Sequence, residues 1–235
     1  MDPLIHYFTD IKVLSILDVG TGAGGFIPVL QKCFPEASIT GIDPNQESLQ
    51  AAKLQFPDIR FIEMDSEKLQ FDDNSFDIVN ISMALHHFSK VRKSLKEIKR
   101  VVKTGGYIII TEPLSDNLNP AQEVHKIYHH FCSRIDRLMG KFHRKTFTKN
   151  AILHMLKMAE LPVQFYFEHR KNPLLAENNG EIDIRLEKMK AMLEQIRDLP
   201  EYEIMRSQLD EFRKKAAGRG IQPATNLVIV IRKIS

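Results

Sequence analysis

Residues Ile16 to Gly25 pass from an apolar strand, Ile16-Leu17-Asp18-Val19, into the turn Gly20-Thr21-Gly22-Ala23-Gly24-Gly25, which is almost free of side chains, and a helical pattern begins at Phe26. Glycine tolerates positive φ and lets a ligand lie against the backbone. A helix that opens after such a turn directs its first N–H groups at that ligand. The next apolar run ends at Asp43, where an acid beyond the second strand can hold the vicinal hydroxyls of a ribose. A chain built this way folds by alternating strands with helices, and it holds an adenosine-containing molecule across its first two strands.

The glycines fit two patterns. Gly20, Gly22 and Gly25 satisfy the dinucleotide G-x-G-x-x-G turn, whereas Gly20, Gly22 and Gly24 satisfy a shorter G-x-G-x-G turn. Asp18 stands two places before the first glycine, where a carboxylate would attract a cationic amino group and repel a pyrophosphate. Asp65 closes a third strand, Arg60 to Met64, and is either an acceptor for the adenine amino group or a surface turn acid. Asn226 to Arg232 is a strand with no helix after it.

These segments resemble the class I S-adenosylmethionine-dependent methyltransferases, in the broad group that includes the ubiquinone and menaquinone biosynthesis enzymes. The resemblance rests on Leu17-Asp18-Val19-Gly20-Thr21-Gly22-Ala23-Gly24, Gly41-Ile42-Asp43-Pro44-Asn45, Met64-Asp65-Ser66, Phe76-Asp77-Ile78-Val79, Leu85-His86-His87-Phe88 and the run from Leu95 to Gly106, in the family's order over roughly the first half of the chain. It implies an α/β fold with a Rossmann-like seven-stranded sheet whose last strand is antiparallel, and S-adenosyl-L-methionine as cofactor. It also implies that Gly20, Thr21, Gly22 and Gly24 line the methionine part with Asp18 near its amino group. Asp43 would then bind the ribose, Pro44 would pack beside the adenine, Asp65 and Ser66 would hold the adenine edge, and backbone near Ile81 would touch the cofactor again.

The 235 residues suffice for one domain, or for one domain with an insertion. A net charge of +3 with mixed signs demands no nucleic-acid partner. The densest basic stretch, Lys90 to Lys103, carries Val91, Leu95, Ile98, Val101 and Val102 at helical spacing and reads as a solvated amphipathic helix. Cys33 and Cys132 have no metal-ligand spacing and read as free thiols in a reducing cytoplasm. No leader pattern opens the chain, and its apolar runs are strand-sized. The expectation is a soluble, cytoplasmic protein with no membrane association.

Strands are predicted at Ser15–Val19, Ser38–Ile42, Arg60–Met64, Phe76–Ile81 and Gly106–Thr111, with helices at Phe26–Cys33, Gln46–Gln55 and Val91–Val102, the last capped by Gly105-Gly106. About a dozen residues precede the first strand, with no pocket-covering helix expected among them. A long amphipathic helix follows over Ala121 to Met139, then one at Lys149 to Ala159 with Thr148 as N-cap, then a strand at Val163 to Phe167. Residues 172–220 read as a helical insertion, with stripes Ile182, Leu186, Met189, Leu193, Ile196 and, after Pro200, Ile204, Met205, Leu209, Phe212. The cofactor domain is then 1–171 with 221–235. The insertion is either a lid over the substrate, with Asn178-Asn179-Gly180 and Gly218-Arg219-Gly220 as hinges and its methionines facing ligand, or a homodimer interface or buttress.

The reaction is read as methyl transfer to a small-molecule acceptor by in-line displacement. A non-catalytic cofactor-binding protein and a nicotinamide-dependent oxidoreductase are the other readings. A sulfonium methyl needs mainly alignment, while transfer to a hydroxyl gains from a general base. His86 and His87 follow the fourth strand and are candidate catalytic residues, with pocket packing as their other role. Glu112 ends the fifth strand, facing substrate or capping a loop. His125 and His129 have i, i+4 spacing, but Lys126 stands where a metalloprotease helix needs Glu, so no metal is assigned.

Overall fold

The structure, a computed structural model, describes residues 2–170 and 179–234. The chain divides into two compact units, one made of Met1–Glu112, Asn150–Phe167 and Leu227–Ser235, the other of Pro113–Lys149 and Glu168–Asn226.

The first unit is built on seven strands: β1 Ser15–Val19, β2 Ser38–Asp43, β3 Arg60–Glu63, β4 Phe76–Ser82, β5 Val102–Pro113, β6 Val163–His169 and β7 Asn226–Arg232. They lie in the order β3-β2-β1-β4-β5-β7-β6. The neighbours from β3 to β5 are parallel, and the β5-β7-β6 end is antiparallel. Parallel strands covered on both faces read as continuous apolar runs rather than alternating ones. Ile78, Val79 and Ile81 of β4, which pairs in parallel with β1 on one side and β5 on the other, fit this and are fully buried. Helices α2 Ile27–Cys33, α3 Gln46–Gln55 and α4 Val91–Val101 follow β1, β2 and β4.

A short helix, α1 Asp2–Tyr7, precedes β1, and it buries Leu4, with Phe8 just beyond it, in the core shared with Ile16, Phe34 and Tyr107. One local expectation is corrected. Gly105-Gly106 is not a helix cap. The chain turns extended at Val102, where α4 ends, and β5 is already paired there. Between the pairs Phe76–Val102 and Ile78–Tyr107, β5 bulges out over Lys103 to Gly106. Gly105 takes φ +79, and its N–H donates to Lys233 O at 2.8 Å, so the glycine serves the bulge and the contact with the C-terminal segment.

Asp77 fastens this bulge to the start of β1. Its Oδ2 accepts from Leu14 N (3.0 Å), Ser15 N (2.9 Å) and Ser15 Oγ (2.9 Å), and its Oδ1 accepts from Lys103 Nζ at 2.7 Å. Burial alone would raise the carboxyl's pKa, but these donors together hold it below the ordinary value. A carboxyl depressed in the folded state stabilises the protein above its unfolded pKa of about 3.9, and that contribution is lost as pH falls through the folded value. Asp77→Asn should therefore cost about 2 kcal/mol near neutrality, with the deficit shrinking below about pH 4. Thermal melts of both proteins across that range test this, and a deficit indifferent to pH would contradict it.

The second unit contains α5 Pro120–Leu138, α7 Asn179–Glu194 and α8 Tyr202–Arg219, while α6 Lys149–Met158 begins at its border. Asn119 and Gln122 form a reciprocal capping box that starts α5, with Pro120 at its first position. At the start of α6, Lys149 N donates to Asp116 Oδ1 at 3.1 Å. Val124, Phe131 and Ile135 of α5 share one core with Met189 and Leu193 of α7 and Met205, Leu209 and Phe212 of α8. The insertion expected at 172–220 therefore has α5 as a packing partner, and α5 groups with it rather than with the sheet. Residues 172–178, including the hinge residue Asn178, lie outside the described residues. Met189 and Met205 are fully buried in this core, so they serve packing there rather than facing a ligand. Gly218 lies inside α8, and only Gly220 takes positive φ, as the helix cap.

Candidate functional site

The turn after β1 is held from β2. Gly20 N and Thr21 N both donate to Ile42 O, at 2.8 and 3.0 Å. Gly20, Gly22 and Gly24 have φ of +72, +53 and +83. A Cβ at Gly20 would stand 2.5 Å from Ala84 Cβ, and one at Gly24 would stand 2.8 Å from the Phe56 ring. At Gly22 and Gly25 a Cβ would meet open space. The third glycine of a dinucleotide turn is needed for close helix–strand packing. Here Gly24 meets that need and Gly25 does not, so the turn follows the G-x-G-x-G pattern.

The expectation that α2 aims N–H groups at a ligand is also corrected. Ile27 N donates to Gly24 O at 3.0 Å, Pro28 has no N–H, and Val29 N donates to Phe26 O at 3.0 Å. The helix start spends its donors on the turn itself, which leaves little for a pyrophosphate.

Asp43 is half-buried and grips the same turn. Its Oδ2 accepts from Gly22 N and its Oδ1 from Asn45 N, each at 2.9 Å. Each oxygen keeps further acceptor capacity. Pro44 is exposed beside it, and the Asn45 side chain caps α3 by accepting from Ser48 N. Asp65 is exposed and its Oδ1 accepts from Glu67 N at 2.7 Å, whereas Ser66 is buried with its hydroxyl 2.9 Å from Ser94 Oγ. The Ser66 hydroxyl thus faces α4, which leaves its backbone for any contact with a base. Ile81 is fully buried within β4.

One group of atoms in this unit is unusual. Asp18 is 1% exposed, and its Oδ1 accepts from Asn80 Nδ2 at 2.7 Å. Asp18 Oδ2, Thr21 Oγ1, Asn80 Oδ1, Ser82 Oγ and Thr111 Oγ1 are buried without a hydrogen-bond partner among the described residues. Asp18 is in register with Asn80, and Ser82 with Thr111, so all four side chains emerge on one face of the sheet near its C-terminal edge. Buried polar atoms are nearly always satisfied, and a group of orphans at strand ends marks a place for a polar ligand. Burial pushes the Asp18 carboxyl up, opposed by the neighbouring Thr21 hydroxyl and the Asn80 amide. Asn80, Ser82 and Thr111 were missed in the sequence. Their signal was a polar residue breaking an apolar parallel strand, as Asn80 does between Val79 and Ile81.

His86 and Glu112 meet at the ends of β4 and β5. Glu112 is fully buried, with Oε1 accepting from Leu85 N and Oε2 lying 2.7 Å from His86 Nδ1. Glu112 thus both caps the 3₁₀ turn Leu85–His87 and orients the imidazole. His87 is exposed, its ring 4.3 Å from that of His86. In the second unit, His129 lies against His143 (Nε2 to Nε2, 3.4 Å), which in turn meets Asp136 Oδ2 through Nδ1 at 2.6 Å, while the His125 ring lies 6.2 Å from that of Tyr128.

Residues 17–110 match the methyltransferase domain family. The chain is 35% identical over 133 residues to a demethylmenaquinone methyltransferase of Chlorobaculum tepidum, a match covering 57% of this chain and 54% of that one, so the chain spans about half the length of this relative. It is 27% identical over 179 residues to a demethylmenaquinone methyltransferase of Thermotoga maritima, covering 73% and 77%. The YcgJ protein of Bacillus subtilis superposes with a TM-score of 0.62 over 100% of this chain and 97% of its own, at 20% identity, which establishes the fold. No described helix is long and apolar enough to cross a membrane. With the sheet order, the G-x-G-x-G turn and the family match in agreement, residues 17–110 belong to the class I S-adenosylmethionine-dependent methyltransferase domains.

Proposed function

We propose that the protein transfers a methyl group from S-adenosylmethionine to a small-molecule acceptor. The observation that carries this reading is the buried Asp18 carboxylate with one oxygen unpaired, set among other unpaired polar atoms beside a glycine turn that has open space at Gly22. A carboxylate buried with no opposite charge beside it is costly. The α-ammonium of the cofactor would supply both the missing donors and the opposite charge. A nicotinamide dinucleotide would put negative charge there instead, against Asp18 and a helix start whose Ile27 and Val29 N–H groups are already used.

The chain's residues then divide the work. Gly22 leaves room for the methionine part, while Asp18 and Asn80 take its polar end. Asp43 uses its remaining acceptor capacity for the ribose hydroxyls. Asp65, Pro44 and the backbone near Ser66 and Ile81 border the adenine. When bound, S-adenosylmethionine supplies a methyl on a sulfonium, already activated for displacement. The protein's part is alignment, which can contribute on the order of 7–11 kcal/mol, and removal of the acceptor's proton. The tautomer that donates Nδ1–H to Glu112 carries its basic nitrogen at Nε2. His86 is thus the chain's candidate proton acceptor and Glu112 its positioning residue. Demethylmenaquinone, for which two relatives are named, is the acceptor we assign for the first assay.

Incubation with methyl-labelled S-adenosylmethionine and demethylmenaquinone should release S-adenosylhomocysteine in step with label in the acceptor. Tight cofactor binding with no turnover on any acceptor would favour a non-catalytic binding protein, and no affinity for the cofactor would reject the reading outright. Asp43→Ala should weaken S-adenosylhomocysteine binding by about 1.5–3 kcal/mol, the range for hydrogen bonds to a charged group. Calorimetry giving equal affinities would remove Asp43 from the site.

A further inference from the structure

The second unit holds a cavity of about 380 Å³ lined by Lys126, His130, Arg134, Arg137 and Lys145 over an apolar floor of Ile127 and Phe131, with Gln208 and Glu211 on the α8 side. Lys126, His130, Arg134 and Arg137 stand at i, i+4, i+8 and i+11 on α5, which places them along one stripe of the helix. Lys145 joins them from the segment after α5.

The charges there are unbalanced. Lys126 is paired with Glu123 at 2.7 Å, and Glu211 is held by Lys215 at 2.5 Å. Arg134, Arg137 and Lys145 have no carboxylate within ion-pair distance among the described residues. The field is felt by His130, which stands among them on α5. Burial first, then Lys145, Lys126 and Arg137, push His130 down to about 4, against an opposing effect of Glu123. At neutral pH His130 is therefore uncharged and offers a ring nitrogen as a hydrogen-bonding group. Its Nε2 lies 3.4 Å from Thr146 Oγ1. A solvated basic helix face would spread such charges outward over a convex surface. Here they converge on a concavity, and a guanidinium fork matches phosphate oxygens two at a time.

We propose that this cavity is a binding site for a phosphate-type anion, carried either by a small phosphorylated molecule or by a lipid headgroup. Arg134 and Arg137 grip the phosphoryl oxygens, Lys145 closes over them, and the neutral His130 reads a further oxygen. The site lies wholly within the second unit and does not depend on the methyl-transfer reading.

Two probes on the whole purified protein separate the sources. Inorganic pyrophosphate is titrated by calorimetry, and sedimentation is measured with phosphatidylcholine vesicles with and without phosphatidic acid. Binding of pyrophosphate assigns a soluble phosphoryl ligand, and binding only to phosphatidic acid vesicles assigns a headgroup. In either case Arg134→Gln with Arg137→Gln should weaken the interaction at least roughly tenfold, while Arg213→Gln with Lys214→Gln, exposed on α8 outside the cavity lining, should leave it unchanged. S-adenosylhomocysteine affinity should be unaltered in both variants. If the arginine variant unfolds, Lys145→Gln, which is exposed and outside any helix, should show a loss of the same sign. The proposal is overturned if neither probe binds, if binding survives the cavity substitutions, or if the control pair weakens it equally, which would mark diffuse surface charge.

Discussion

Gly22→Val will abolish S-adenosylhomocysteine binding in a protein that still folds, whereas Gly20→Val will not yield the native fold. Both glycines have positive φ, so both valines pay a backbone cost of about 1–2 kcal/mol. A domain with the usual margin of roughly 5–15 kcal/mol tolerates that alone. The two differ in what surrounds them. Beyond Gly22 there is only open space, which the cofactor would fill, so a side chain there competes with ligand and not with protein. Beyond Gly20 stands Ala84 Cβ at 2.5 Å, a contact that cannot be relieved by a rotamer change. Circular dichroism and calorimetry on the pair separate the effects. Near-native affinity in Gly22→Val would mean that the turn does not line the site, and a native melt for Gly20→Val would mean that the turn can shift as a whole.

The difference between these glycines was invisible in the sequence, where G-x-G-x-G and G-x-G-x-x-G overlap letter for letter. It depends on Ala84 and Phe56, residues far along the chain that only the folded sheet brings to the turn. The same reason explains most of what the sequence withheld. Alternating apolar runs fixed the strand–helix rhythm because period and burial are local properties. Gly105-Gly106 looked like a helix cap because glycine punctuates both helices and bulges, and only the bond from Gly105 to Lys233 distinguishes them. The stripe on α5 was legible as amphipathic, but not that it would face α7 and α8 rather than a sheet. Asp18, by contrast, was legible as a site residue from its place before the turn. Its partner Asn80 was not, because parallel register sets that pair across 62 positions.

His86→Ala should lower kcat by about 10²–10⁴-fold, the usual contribution of a positioned acid or base, with little change in S-adenosylhomocysteine affinity. The argument starts from Glu112, which is fully buried 26 positions away in sequence and spends one oxygen on Leu85 N and the other on His86 Nδ1. A buried carboxylate is tolerated only where its partners are fixed, so this one both braces the turn after β4 and sets the tautomer of the ring. Glu112→Gln keeps an acceptor for Leu85 but exchanges the charge for an amide that can donate to His86. It should therefore lose part of the rate through misoriented imidazole and leave cofactor affinity close to native. Two readouts separate proton transfer from mere packing. The wild-type rate should slow in deuterium oxide, and that slowing should shrink in His86→Ala. Added imidazole should restore part of the lost rate in His86→Ala and none in Glu112→Gln, whose own ring is still present. If His86→Ala turns over demethylmenaquinone at the native rate, the pair is a structural brace and the acceptor loses its proton directly to water.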